Sequence, residues 1–141
     1  MPEFRFVADN NVLISNLLLY NSVPARALRI ALERGIMLTS TAALDELAAV
    51  LRRPKFDSYV SVAARSEFIR KIHRISVEVE IIRKVQVCRD SKDDKFLEIA
   101  VNGDADLIIT GDKDLLVLDP FEDIAIIKPG DFLTEFENTS N

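Results

Sequence analysis

Cysteine, histidine and glycine are scarce in this chain of 141 residues, and each scarcity removes a class of function. The one cysteine, Cys88, cannot close a disulfide within the chain, so no disulfide framework is expected and a reducing compartment is. The one histidine, His73, is too little for a Ser-His-Asp arrangement, and there is no His/Cys cluster of the kind zinc takes. The four glycines, Gly35, Gly103, Gly111 and Gly130, stand far apart, so no glycine-rich loop is available to cradle a phosphate. With five prolines they are also too few for a collagen-like or linker-like chain. No apolar run approaches the ~20 residues that would cross a bilayer. The opening MPEFRFVAD lacks a basic region followed by an apolar stretch, so no signal peptide is expected. Against these absences, 48% of the residues are hydrophobic. A chain of this length buries roughly two-thirds of its unfolded surface. The expectation is one packed domain over residues 1–141, soluble and cytoplasmic.

The formal net charge of −5 would argue against a nucleic-acid partner if it were evenly spread. It is not. Between Arg52 and Arg74 seven bases (Arg52, Arg53, Lys55, Arg65, Arg70, Lys71 and Arg74) face only Asp57 and Glu67. Between Asp90 and Glu137, fourteen acids face four lysines. Local potential governs partners more than the total does, so the basic segment is a candidate for nucleic acid and the acidic one for divalent cations. The plain alternative for the first is a solvated basic helix face.

Hydrophobic spacing predicts strands over Phe4–Ala8, Ile36–Thr39, Val77–Ile82, Asp106–Thr110 and Ile124–Ile127. It predicts helices over Val12–Tyr20, Pro24–Arg34, Thr41–Arg53, Ser61–Ile75, Asp93–Asn102 and Asp131–Phe136. Strands that are near-continuous apolar runs alternating with helices imply a three-layer α/β/α arrangement around a mainly parallel sheet. In such sheets the functional crevice lies beyond the carboxyl ends of the strands.

Carboxylates occupy that edge. Asp9 follows the first strand directly, Asp112 follows the fourth after Gly111, and Asp114 comes two residues later. Asp93 and Asp94 open the helix that leads into the fourth strand. Glu46 lies inside the third helix among Ala42, Ala43, Ala49 and Val50, a setting in which a desolvated carboxylate must be protonated, paired or metal-bound. Each has a bland reading: Ser91-Lys92-Asp93-Asp94 fits a helix cap, Asp9 and Asp112 fit turns, and Glu46 fits a helix surface. Turn chemistry alone does not account for all of them on one edge. Several carboxylates without a His/Cys cluster suit Mg²⁺ or Mn²⁺. His73 reads as a surface or phosphate-contacting side chain, and Cys88 as a small buried hydrophobe.

Four stretches in this order, FVADNNVLIS, LDELAAVLRRPKF, RDSKDDKFLEIAVNGDADLIITGDKDLL and IIKPGDFL, resemble the PIN-domain family of metal-dependent ribonucleases, and within it the toxins of toxin–antitoxin pairs (VapC-like). The likeness runs from Phe4 to Leu133. It implies a PIN-like fold and an acidic quartet of Asp9, Glu46, Asp94 and Asp112, all four holding metal, with Asn11, Thr110, Asp114 and the adjacent Asp93 in support. Where the family usually has threonine after the first aspartate, this chain has Asn10. The implied reaction is Mg²⁺- or Mn²⁺-dependent hydrolysis of RNA phosphodiesters by an activated water, leaving a 5′-phosphate. Glu46, its pKa raised among alanines, would orient the water or take its proton. Arg52, Arg53, Lys55, Arg70, Lys71 and Arg74 would track the RNA backbone. The resemblance further implies an antitoxin protein as partner and allows a homodimer. Two other classes compete. A non-catalytic PIN-like binding module would carry an incomplete metal site, and a haloacid-dehalogenase-like Mg²⁺ phosphatase would need an aspartate at position 11, where Asn11 stands.

Overall fold

The computed structural model describes residues 2–137, so Met1 and residues 138–141 of the expected domain lie outside the described residues. Five parallel strands form the middle layer: β1 (Phe4–Ala8), β2 (Gly35–Thr39), β3 (Val77–Glu78), β4 (Leu107–Ile109) and β5 (Ala125–Ile127), in the order β3-β2-β1-β4-β5. The alternation of a pleated strand sends neighbouring side chains into different layers. Phe4, Phe6 and Ala8 pack on one face with Met37, Leu107 and Ile109, whereas Val7, Leu38, Ile108 and Ile126 pack on the other. The first face is covered by α1 (Asn10–Leu18), α2 (Val23–Arg34), α3 (Thr41–Leu51), α4 (Val62–Ile75) and α7 (Pro129–Glu137). The second is covered by α5 (Asp94–Asn102) and the one-turn α6 (Lys113–Leu116). Both faces being buried is why the strands read as unbroken apolar runs. This is the three-layer architecture expected.

Strand order reverses between β1 and β4, which pair Phe6 with Leu107 and Ala8 with Ile109. The Asp9 N–H donates to the Ile109 carbonyl at 3.3 Å and carries the contact one residue past the strand ends. On its other side β1 starts opposite Gly35. A Cβ on Gly35 would stand 2.7 Å from the Phe4 carbonyl oxygen and 2.6 Å from its ring, so only glycine fits that approach.

Several element boundaries differ from expectation. The helix expected from Val12 begins at Asn10, because Asp9 acts as its cap and accepts the Val12 N–H at 2.9 Å. The strand expected over Val77–Ile82 pairs only at Val77–Glu78. Beyond it, the N–H groups of Ile82 and Arg83 are taken by Asn102 Oδ1 at 3.1 and 2.9 Å, which draws the chain from the sheet edge toward the end of α5. Two 3-10 turns, Pro54–Phe56 and Ser91–Asp93, and the short α6 were not expected. The last helix starts at Pro129, since proline is tolerated in a first turn where its missing N–H has no partner to lose. Among the described residues no helix is long and apolar enough to cross a membrane.

Candidate active site

The switch point between β1 and β4 places Asp9 and Asp112 side by side. Asp9 is 5% exposed, and its two carboxylate oxygens are separately held: Oδ1 by the Val12 N–H and Oδ2 by the Thr110 hydroxyl. The Thr110 oxygen in turn accepts the Asp112 N–H at 3.0 Å, so one fully buried threonine spaces the two acids. Asp112 Oδ1 accepts the Asp114 N–H at 2.9 Å and caps α6. Burial pushes the Asp9 carboxyl above its ordinary range. The hydrogen bonds from Thr110 and Val12 oppose the rise, and the charge of Asp112 adds to it.

Asp93 enters from the opposite side, at the end of the Ser91–Asp93 turn. It makes no capping bond; Asp90 caps that turn by accepting the Lys92 N–H at 3.0 Å. One carboxylate oxygen each from Asp93, Asp112 and Asp114 lies within 4.8 Å of the others. Asp93 Oδ2 is buried without any hydrogen-bond partner. Burial, then a hydrogen bond shared with Asp112 and the charges of Asp112, Asp90 and Asp114, push the Asp93 carboxyl up to about 7.

The structure does not bring Asp94 into this group. Its Oδ1 accepts the N–H groups of Val87 (3.1 Å) and Cys88 (2.8 Å), and it lines a separate groove with Lys84, Val85, Cys88 and Glu98. Consecutive residues on a helix point about 100° apart, so only one of two adjacent aspartates can face the cleft. Burial raises the Asp94 carboxyl, but the Cys88 and Val87 N–H groups, the Cys88 thiol and Lys95 outweigh it and hold the group below its ordinary range. The quartet expected with Asp94 therefore assembles with Asp93 instead.

Asp9, Asn11, Glu46, Asp93 and Asp112 line one cleft of about 60 Å³, room for ions and water but not for a nucleotide. Glu46 is half-buried and ion-paired with the Lys95 ammonium, not desolvated among alanines: Ala42 and Ala49 are exposed. Asn10, where the family usually has threonine, is 6% exposed and donates to the Ala43 carbonyl at 3.3 Å, which ties the start of α1 to α3, the helix carrying Glu46. A wider groove of about 400 Å³ shares Asp9, Asn11 and Asp112 and continues over Val12, Val23 and Pro129.

The basic segment divides. Arg52, Arg53, Lys55 and Lys71 are exposed. Arg70 and Arg74 both pair with Glu67, at 2.8 and 3.6 Å. Arg65 is buried, donating to the Leu51 carbonyl and to Asp57, each at 2.8 Å, and is a structural residue. His73 lies 3.5 Å from Glu78 on the surface. Cys88 is half-buried; burial first, then Asp94, pushes its thiol up to about 12. Lys95 and Arg89, which reach acids of the site, escaped the sequence reading; their only signal was proximity to Asp93 and Asp94.

The donor set is carboxylate oxygen alone, with one oxygen left unpartnered. Hard divalent cations fit it, with Asp93, Asp112 and Asp114 as the nearest donors and Asp9 beside them.

Comparison with known proteins agrees with this architecture. The sequence matches the PIN domain family over residues 5–114. It is 31% identical to the uncharacterized protein MJ1680 of Methanocaldococcus jannaschii, over 96% of this chain and 93% of that protein. PAE2754 of Pyrobaculum aerophilum superposes with a TM-score of 0.63 at 17% identity, covering 96% of this chain and 90% of that one. A chain of VapBC2 from Rickettsia felis, solved bound to a DNA fragment from its promoter, gives 0.60 at 8% identity, covering 88% and 98%.

Proposed function

Because the chain belongs to the PIN-domain family, whose members are typically nucleases, we propose that it is a Mg²⁺- or Mn²⁺-dependent endoribonuclease and the toxin of a toxin–antitoxin pair. One atom carries this reading: the buried, unpartnered Oδ2 of Asp93, set among the carboxylates of Asp112 and Asp114. A buried carboxylate oxygen without a donor is costly, and a cation supplies what the chain withholds.

Asp93, Asp112 and Asp114, with Asp9, would hold the cation. Bound there, Mg²⁺ or Mn²⁺ would offset charge on the scissile phosphate and make a water more acidic. Thr110 keeps Asp9 and Asp112 in register, and Asn10 keeps α3 against the cleft. Glu46 accepts the proton of the attacking water, its carboxylate steered by Lys95. Asn11, exposed at the mouth, contacts the substrate. Cleavage leaves a 5′-phosphate and a 3′-hydroxyl. Arg52, Arg53, Lys55 and Lys71 attract the flanking backbone. An antitoxin partner, or a second copy of the chain, would cover exposed apolar side chains such as Leu19, Tyr20 and Tyr59.

The test is incubation with a mixed RNA pool in Mn²⁺ or in chelator, with the ends mapped. The expected result is Mn²⁺-dependent internal cleavage that Asp112→Asn abolishes. Cleavage that persists in chelator, or in Asp112→Asn, would overturn the assignment.

A further inference from the structure

The cleft sets an electrostatic problem. Five carboxylates, Asp9, Glu46, Asp93, Asp112 and Asp114, gather where a polyanion must lie. Formally, two divalent ions would still leave the group negative. Among the described residues, the ion pairs bring two basic side chains to these acids. Arg89 Nε stands 3.3 Å from Asp114 Oδ1, and the Lys95 ammonium sits on Glu46 Oε2. Adding both cations turns the formal sum positive.

Their settings differ in a useful way. The Arg89 side chain is 89% exposed, and an exposed pair of that kind is worth little, so its guanidinium is available for exchange. The Lys95 side chain is 17% exposed, and its ammonium also donates to the Lys92 carbonyl, so it is held in place. Both belong to the run leading from the sheet edge into α5, which also carries Asp93. The groove beside that run holds about 620 Å³ and carries Lys84, Ser91 and Lys95 together with the acids Asp94 and Glu98, so of its two lysines only Lys95 also reaches the cleft acids. The basic segment of Arg52–Arg74, by contrast, spends Arg65, Arg70 and Arg74 on its own acids.

Resting on the nuclease reading above, we propose that Arg89 and Lys95 form a phosphate clamp at the cleft, positioning the RNA backbone over the acids. Arg89 exchanges Asp114 for a phosphate oxygen. Lys95 keeps Glu46 at the rim and offers its remaining N–H to the substrate.

A fluorescein-labelled single-stranded RNA oligonucleotide, its intactness checked on a gel, tests this by anisotropy across a salt series with Ca²⁺ in place of Mn²⁺, so that the probe is bound without being cut. Arg89→Gln and Lys95→Met should each weaken binding roughly fivefold near 0.1 M salt and lower the log–log salt slope by about 0.7, the value for one lost single-strand phosphate contact. Lys95→Arg should restore both quantities. Arg26→Gln, which removes a distant surface cation paired to Glu137, should change neither slope nor cleavage. Absence of RNA binding by the unsubstituted protein would overturn the clamp and the nuclease reading together. Binding by the unsubstituted protein with unchanged affinity and slope in Arg89→Gln and Lys95→Met overturns the clamp alone. If Lys95→Met does not fold, Arg89→Gln decides it: unchanged affinity and slope in that variant overturn the clamp.

Discussion

Asp93 and Asp94 are adjacent in sequence, yet the two sides of the α5 N-terminus give them opposite surroundings. On one side Asp93 meets other carboxylates, keeps an oxygen without a donor, and is pushed up to about 7. On the other, Asp94 receives two backbone N–H groups and is held below the ordinary range. The first arrangement stores repulsion that a cation can relieve. The second already supplies donors to the carboxylate, two backbone N–H groups on its Oδ1. A carboxylate's role here follows from which donors face it, not from its position relative to a motif.

Exchanging the two by mutation should break the contrast most visibly in metal binding. Asp93→Asn is expected to lower Mn²⁺-dependent cleavage by roughly 100-fold or more and to weaken Mn²⁺ binding measured calorimetrically, with the circular dichroism unchanged. Asp94→Asn should keep Mn²⁺ affinity within about threefold, because its Oδ1 is turned to the Val87 and Cys88 N–H groups and an amide oxygen still accepts from that loop. Equal loss of affinity in both variants would erase the distinction between the two sides.

Stability should show the reverse ranking. Asp94→Ala strands the N–H groups of Val87 and Cys88, and urea unfolding should register a loss of about 1–3 kcal/mol. Asp93→Ala in the metal-free protein should leave the midpoint unchanged or raise it, since it removes a carboxylate from a repulsive cluster. A larger loss in Asp93→Ala than in Asp94→Ala counts against this account.

A smaller effect is expected in the pH dependence of the metal-free protein. Asp93 has a folded-state pKa near 7 against an ordinary 3.8, so the folded protein binds the proton more tightly. Its contribution is fully present below about pH 4 and is lost as pH rises through about 7. Asp94, shifted downward, contributes above about pH 4 and loses that contribution as pH falls. Between pH 4 and 7 the thermal midpoint of Asp93→Asn should therefore rise relative to the unsubstituted protein. A flat difference across that window would show that Asp93 carries no raised pKa.

Much of the frame was legible because its causes are local. Unbroken apolar runs announced buried parallel strands, and the rule that crevices lie at strand carboxyl ends located Asp9 and Asp112. What escaped depends on partners distant in sequence. Asn102 takes the N–H groups of Ile82 and Arg83, so the end of the expected strand is tied to α5 and not to the sheet, which no pattern within residues 77–82 contains. Arg65 looks like any surface base until Leu51 and Asp57 are seen around it. The choice between Asp93 and Asp94 turns on where a 3-10 turn passes into an α-helix, a boundary that sequence spacing places only to within a residue or two. Glu46 was expected to be desolvated because its neighbours on α3 are small and apolar, but small neighbours on an exposed helix face leave it open to Lys95.

The pairing of β1 with β4 joins residues that lie about a hundred positions apart, and the cleft exists only across that seam. A chain shortened to stop before Leu107 would keep Asp9, Glu46 and Asp93 but would lack the strand that brings Asp112 to meet them. Any hazard this protein poses to nucleic acid is thus withheld from a growing chain throughout most of its synthesis, and from a fragment clipped within α5 as well.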